Sequence, residues 1–344
     1  MTTPLPEPKD TSSQHAPLSN GHEPPIPDLP PVEAPSAGFI VQLFVIPAVV
    51  VFVVILVWLL FGKLAGGERD AMEYVRMIRG SATNWRAANR AAFELASLIQ
   101  NDPKLASDPR LLGELTDMLD HDLDKVENAE MTQYVALALG RFQTLDAVSS
   151  TGQKIDPLTA LSRALDTKYP EPVRIAAAAS LAKHAARLDG ALDAPRAVAA
   201  LSKARTAGEP DVRQMVVYAL GFFGGTAATQ ALREALDDED RFVRYNAAVA
   251  LGRRDDPAAL GTFREMLSAA DLDKVITLES DTERRNKIEA IELEALLALQ
   301  HAAKNDKLQL VRALLPEITS LTKSGLVTVR NDAQALLKSL PAAP

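Results

Sequence analysis

No cysteine occurs among the 344 residues. Disulfides, thiolate metal sites and cysteine nucleophiles are therefore excluded, although either side of a membrane permits the absence. Aromatic residues are scarce, at 5% of the chain. Alternating β-branched runs, the usual signal of half-buried strands, are missing as well. There is no basic excess. The formal net charge is -8, and nucleic-acid binding requires a cationic footprint. Charge of either sign is absent between Glu33 and Lys63.

That gap contains Phe39 to Phe61, FIVQLFVIPAVVVFVVILVWLLF. About 20 apolar residues cross a hydrocarbon core as a helix, and a core helix of a soluble domain would carry a polar stripe, which this run lacks. The sequence therefore predicts a single transmembrane helix over 38–62, with residues 39–61 in the lipid bilayer. Gln42 and Trp58 suit the two interfaces, and Pro47 introduces only a kink. A cleaved signal peptide fits less well, because a basic leader is missing and the apolar run is too long. Lys63, Arg69, Arg76 and Arg79 follow the run, whereas no Lys or Arg lies just before it. Basic flanks stay cytoplasmic, which predicts a single-pass inner-membrane protein with its C-terminal part in the cytoplasm.

Residues 1–37 hold ten of the 22 prolines. They are predicted to be a disordered tail of polyproline II character, since they cannot bury enough apolar surface to offset ordering. Half of the net charge lies here, with Lys9 against Glu7, Asp10, Glu23, Asp28 and Glu33, leaving -4 for the rest. Residues 63–83 read as a juxtamembrane helix and linker.

From Glu68 onward Ala, Leu, Arg and Glu dominate in helical periodicity. A ten-residue template, Val243-Arg244-Tyr245-Asn246-Ala247-Ala248-Val249-Ala250-Leu251-Gly252, recurs from Val212 and Val173 and, more weakly, from Met131, Ile291, Val329 and Ala87. The starts are 44, 42, 39, 31, 48 and 38 residues apart. Positions 1, 5, 8 and 9 share one helix face, and a second apolar helix follows each copy, as in Thr226–Leu236 and Pro257–Leu267. Gly221 and Gly252 read as left-handed helix stops. The prediction is an all-α fold, an α-solenoid of six to seven stacked helical pairs over 84–340.

An acidic turn, then Val-Arg, two alanines and Ala-Leu-Gly, resembles the HEAT-repeat family, most closely its short bacterial variety of the phycobilisome bilin lyase type. The likeness is tight over Glu209 to Leu267 and looser over the rest of Asn84 to Leu340. In that family the repeated arginine and the acidic turn pair within and between repeats. The resemblance thus implies a structural role for Arg174, Arg213, Arg244 and Arg330.

Asp120-His121-Asp122-Leu123-Asp124 opens like a calcium loop, but Lys125 and Met131 stand where Gly and Glu are needed. It reads as a solvated acidic turn. The histidines, His15, His22, His121, His184 and His301, are isolated. Some HEAT-repeat proteins carry di-iron on His-Glu dyads, yet the one such step here, His22-Glu23, lies in the tail. Leu272 to Arg285 and Arg141 to Asp156 depart from the repeat as insertions that read as loops. No catalytic constellation, cofactor or small-molecule substrate is evident. The reading is a non-catalytic membrane-anchored scaffold or adaptor with a protein partner. Its alternatives are an accessory or enzyme of the bilin lyase type and an auxiliary subunit of a transporter complex.

Overall fold

The computed structural model describes residues 38, 46–65, 70–80, 84–124, 129–278 and 280–341. The predicted proline-rich tail, residues 39–45 of the predicted span and Lys125 lie outside the described residues. The chain divides into two units, Met1–Glu68 and Arg69–Pro344.

The first unit holds the helix Ile46–Ala65. Its described side chains, Ala48 to Val57, are all exposed. Among the described residues no helix is long and apolar enough to cross a membrane. Ten side chains cover about 15 Å of helix, half of a hydrocarbon core of about 30 Å. The span predicted over 38–62 reaches beyond them on both sides.

In the second unit every template copy lies in a helix: Trp85–Asn101, Ala129–Leu139, Glu171–Arg187, Pro210–Leu220, Arg241–Gly252, Asp281–Lys304 and Val327–Ser339. Template position 1 is the third residue in six of them; in Asp281–Lys304 it is the eleventh. Local chemistry sets the starts. Asp240 accepts from the backbone N–H groups of Phe242 and Val243, and Asn84 from that of Ala87. Pro172 and Pro210 occupy first turns, where a missing N–H costs nothing. The companion helices are Pro109–Asp122, Pro157–Arg163, Pro195–Ala204, Gly225–Ala235, Leu260–Met266 and the pair Gln309–Ala313 and Leu315–Leu321.

Positions 1, 5, 8 and 9 are buried: Val212, Val216, Ala219 and Leu220 in one copy, Val243, Ala247, Ala250 and Leu251 in the next. Each Val or Leu so covered is worth about 1.5–3 kcal/mol, and the alanines let adjacent helices approach. Most successive template helices pack against one another, as Ala129–Leu139 does on Glu171–Arg187 and Glu171–Arg187 on Pro210–Leu220.

Four expectations change. Gly221 and Gly252 are right-handed, with φ -60° at Gly221. The described left-handed residues just past helix ends are Asp189, Gly190, Asp255 and Asp306, and Gly225 is left-handed at a helix start. Gly252 is there for space instead, because a Cβ would collide with the Phe263 ring. The helix expected beside the predicted span is Ala71–Gly80, and its Tyr74, Val75 and Ile78 are buried against Trp85–Asn101. It belongs to the repeat unit, which therefore begins before residue 84. The Leu272 to Arg285 insertion is no free loop either. Ala269–Val275 is helical, Leu272 and Ile276 are buried, and Arg241 donates to the Val275 carbonyl. The Arg141 to Asp156 connection forms an antiparallel pair, Ala147–Val148 with Lys154–Ile155. Its Val148 backbone lies so near Gly113 that a Cβ there would clash.

Candidate functional site

The repeated arginines sit at the edge where the template helices begin. Arg174 is 3% exposed, with Nη2 2.6 Å from Glu209. Arg213 places Nε 3.0 Å from Asp238 and Nη2 3.0 Å from Glu239, while Nη1 donates to the carbonyls of Ala207 and Gly208. Those carboxylates stand in the turn that precedes the following template helix. Arg244 donates to the carbonyls of Asp238 and Glu239, and Arg330 to that of Ser324. The hydrogen bond from Arg174 holds the Glu209 carboxyl below its usual range. The bond to Asp238 likewise raises the Arg213 guanidinium. Of the acids just ahead of the arginines, Asp240 caps its own helix and accepts from Gln214.

Asp120, His121 and Asp122, read as a turn, are the last turn of the helix Pro109–Asp122, and this acidic end is tied to Arg163 and the turn that follows it. Asp120 accepts from Arg163, and Asp124 from Lys168 at 2.9 Å and the Tyr169 hydroxyl at 3.1 Å. Among the described residues no group of three or more His, Cys, Asp or Glu could hold a metal ion. His184 is buried, and its Nε2 donates to the Leu139 carbonyl at 3.0 Å. Burial, helped by Arg187, pushes its pKa down to about 4, so it is neutral and joins two template helices. His121 and His301 are exposed; His15 and His22 lie outside the described residues.

A different set of residues comes together on the open face of the template layer. Position 7 carries Phe93, Leu137, Ala179, Tyr218, Val249 and Leu297 in successive copies. All are apolar or aromatic, and Phe93, Tyr218 and Leu297 are 60%, 46% and 55% exposed. Four residues later in each copy come Ser97, Arg141, Lys183, Phe222, Arg253 and His301, of which Arg141, Phe222 and Arg253 stand just past the ends of their helices. Arg141, Lys183 and Arg253 form no ion pair with any described carboxylate. Burial and the nearby Arg141 lower the Lys183 ammonium. Arg253 lies 5.8 Å from the Phe222 ring centroid, and Phe222 packs edge-on to Tyr218 at 4.9 Å. A cavity of about 990 Å³ opens at this end of the helices, walled by Phe222, Leu297, Arg253, His301 and Lys307. Arg233 and Arg254 also border it but are occupied, Arg233 by Asp256 and Arg254 by Thr229 and three backbone carbonyls. Asp189 is the carboxylate on its rim.

These rows are visible in the sequence only after the copies are aligned and read at positions outside the conserved-looking core of the template. A single exposed cation at the end of a helix is ordinary, and it has no signal of its own.

Residues 197–280 match the family model for HEAT repeats. The match covers under half of the chain and describes that stretch. No match is found among curated proteins. Among solved structures the chain is similar to a designed armadillo repeat protein, at 18% identity over 78% of this chain and 99% of that one, with a TM-score of 0.38. Another designed armadillo repeat protein, solved in complex with the peptide (KR)4, is 13% identical over 78% and 99%, with a TM-score of 0.36. Human deoxyhypusine hydroxylase in complex with glycerol is 17% identical over 81% and 98%, with a TM-score of 0.28. No functional reading follows from likeness of that size.

Proposed function

We propose that this chain is a non-catalytic repeat scaffold, anchored in the inner membrane, whose repeat unit holds a protein partner at the cytoplasmic surface. The observation that carries the reading is the open row at position 7. An exposed apolar ridge repeated along a stacked layer is the surface of an interaction site, since scattered single residues would not align. The arginines of position 2 belong to the framework in this reading, because their charges are consumed by the turns between repeats. The charge-free run from Ala34 to Gly62 supports the anchor, as does the uniform exposure of Ala48 to Val57 in a helix of apolar sequence. An anchor also raises the effective concentration of the scaffold near membrane-bound partners.

Affinity purification of the full chain from detergent-solubilised membranes tests the scaffold. A stoichiometric protein partner is the expected result, lost when Tyr218 and Leu297 are both replaced by Ser in a folded chain. Recovery of the chain without any partner, or a partner retained by that variant, contradicts it. Carbonate extraction tests the anchor separately, and quantitative release of the uncut chain into the soluble fraction would exclude it.

A further inference from the structure

We propose that the open face of the template layer receives an extended acidic segment of its protein partner, with apolar residues on the position 7 ridge and carboxylates on the cations of position 11. The inference rests on the scaffold reading and adds the chemistry of the partner.

The argument is one of charge complementarity within an acidic protein. The chain from Lys63 onward is net negative, yet Arg141 and Lys183 lie close enough to oppose each other, and neither they nor Arg253, which shares a cavity wall with Asp189, form an ion pair with a described carboxylate. Elsewhere in the same unit some buried or half-buried arginines are matched by carboxylates, while Arg241, Arg254 and Arg330 are held by backbone carbonyls. Arg174 has Glu209, Arg205 has Glu234, and Arg213 has Asp238 and Glu239. Like charges placed side by side repel, and here Arg141 and burial together oppose the Lys183 charge. An incoming carboxylate removes that repulsion. The cavity beside Phe222 and Leu297 then takes an apolar side chain and an acidic one together, because Arg253, His301 and Lys307 share its wall.

The spacing selects an extended peptide. Packed helices lie about 8–10 Å apart, and an extended chain advances about 3.3 Å per residue. Every third residue of the ligand therefore meets a new template helix.

The probe is a fluorescein-labelled peptide repeating Leu-Glu-Ser, with a Leu-Gln-Ser control, titrated against the full-length chain in detergent micelles by fluorescence anisotropy. Binding of the Glu peptide alone is expected, weakening as salt is raised. The double variant Lys183→Glu with Arg253→Glu should weaken it roughly tenfold, with circular dichroism unchanged. Arg141→Gln gives a milder second variant should the double one fold poorly. Equal binding of the Gln peptide overturns the inference, as does full affinity in the charge-reversed variant. Flotation with phosphatidylserine vesicles of a chain that ignores the peptide overturns it too, in favour of a lipid headgroup. If the charge-reversed chain still retains its partner from membranes, the scaffold reading stands and the acidic-segment inference falls.

Discussion

The two ends of a template helix carry the same kind of side chain under opposite conditions. At the start, Arg174 and Arg213 are 3% and 5% exposed and face the carboxylates of the next turn. At the finish, Arg253 and Lys183 are half-buried and form no ion pair with a described carboxylate. A buried guanidinium without its anion is strongly unfavourable, so the first edge is committed to holding repeats together. The second edge tolerates its charge because water still reaches it, and that leaves it available to a ligand.

The sharpest way to break this comparison is at Arg213. Arg213→Ala leaves Asp238, 9% exposed at its side chain, without a cation and should cost about 3–5 kcal/mol in urea unfolding. A loss below about 0.5 kcal/mol would put both edges in the same class.

Glu292 sharpens the point from the opposite sign. It is fully buried, neither carboxylate oxygen has a hydrogen-bond partner, and burial, with Glu289, raises its pKa to about 7. Its folded pKa thus lies above the unfolded one. The folded chain binds more protons between pH of about 4.5 and 7, so stability falls across that window and levels off above it. Glu292→Gln should flatten this slope and raise stability above pH 7 by up to about 3 kcal/mol. An unchanged pH profile of the melting temperature would mean that the carboxylate is paired after all.

Gly252→Ala is next in size. The added methyl must displace the Phe263 ring, at about 1–3 kcal/mol for overpacking. A left-handed stop would behave differently, because the strain would then be backbone strain and would be as large at Gly221. At Gly221 the nearest atom to an added Cβ is 3.0 Å away, so Gly221→Ala should be milder. The smallest effect belongs to Arg253→Gln, within about 0.5 kcal/mol of the unaltered chain.

The helices were legible because alanine-rich repeats place Val and Leu at fixed positions, and those positions are the buried ones. What the two glycines do was not legible. A glycine that ends a repeat looks the same in sequence whether it turns the backbone or makes room for Phe263. Leu272 and Ile276 lie in a segment whose charges suggest a loop, although Leu272 is buried on the helix Ala269–Val275 and Ile276 is buried at its extended end. The helix that carries Tyr74, Val75 and Ile78 was readable, but its packing on Trp85–Asn101 was not, because it directly follows the predicted span. The cations of position 11 escaped notice for a different reason. Each alone is a solvated helix end, and only the stacking of repeats brings Arg141 and Lys183 together.

The most direct measurement reverses charge at each edge of the template layer in the full-length chain, in two adjacent repeats, as Arg213→Glu and Arg253→Glu. Urea unfolding and anisotropy of the Leu-Glu-Ser peptide are then read on the same samples. The account predicts that Arg213→Glu lowers the urea midpoint, with peptide affinity kept while the chain is folded. It predicts that Arg253→Glu keeps the midpoint and weakens the peptide several-fold, toward the roughly tenfold of the double variant. A midpoint lowered equally by both variants, or a peptide affinity untouched by Arg253→Glu, would contradict the division of the repeat into a structural edge and a binding edge.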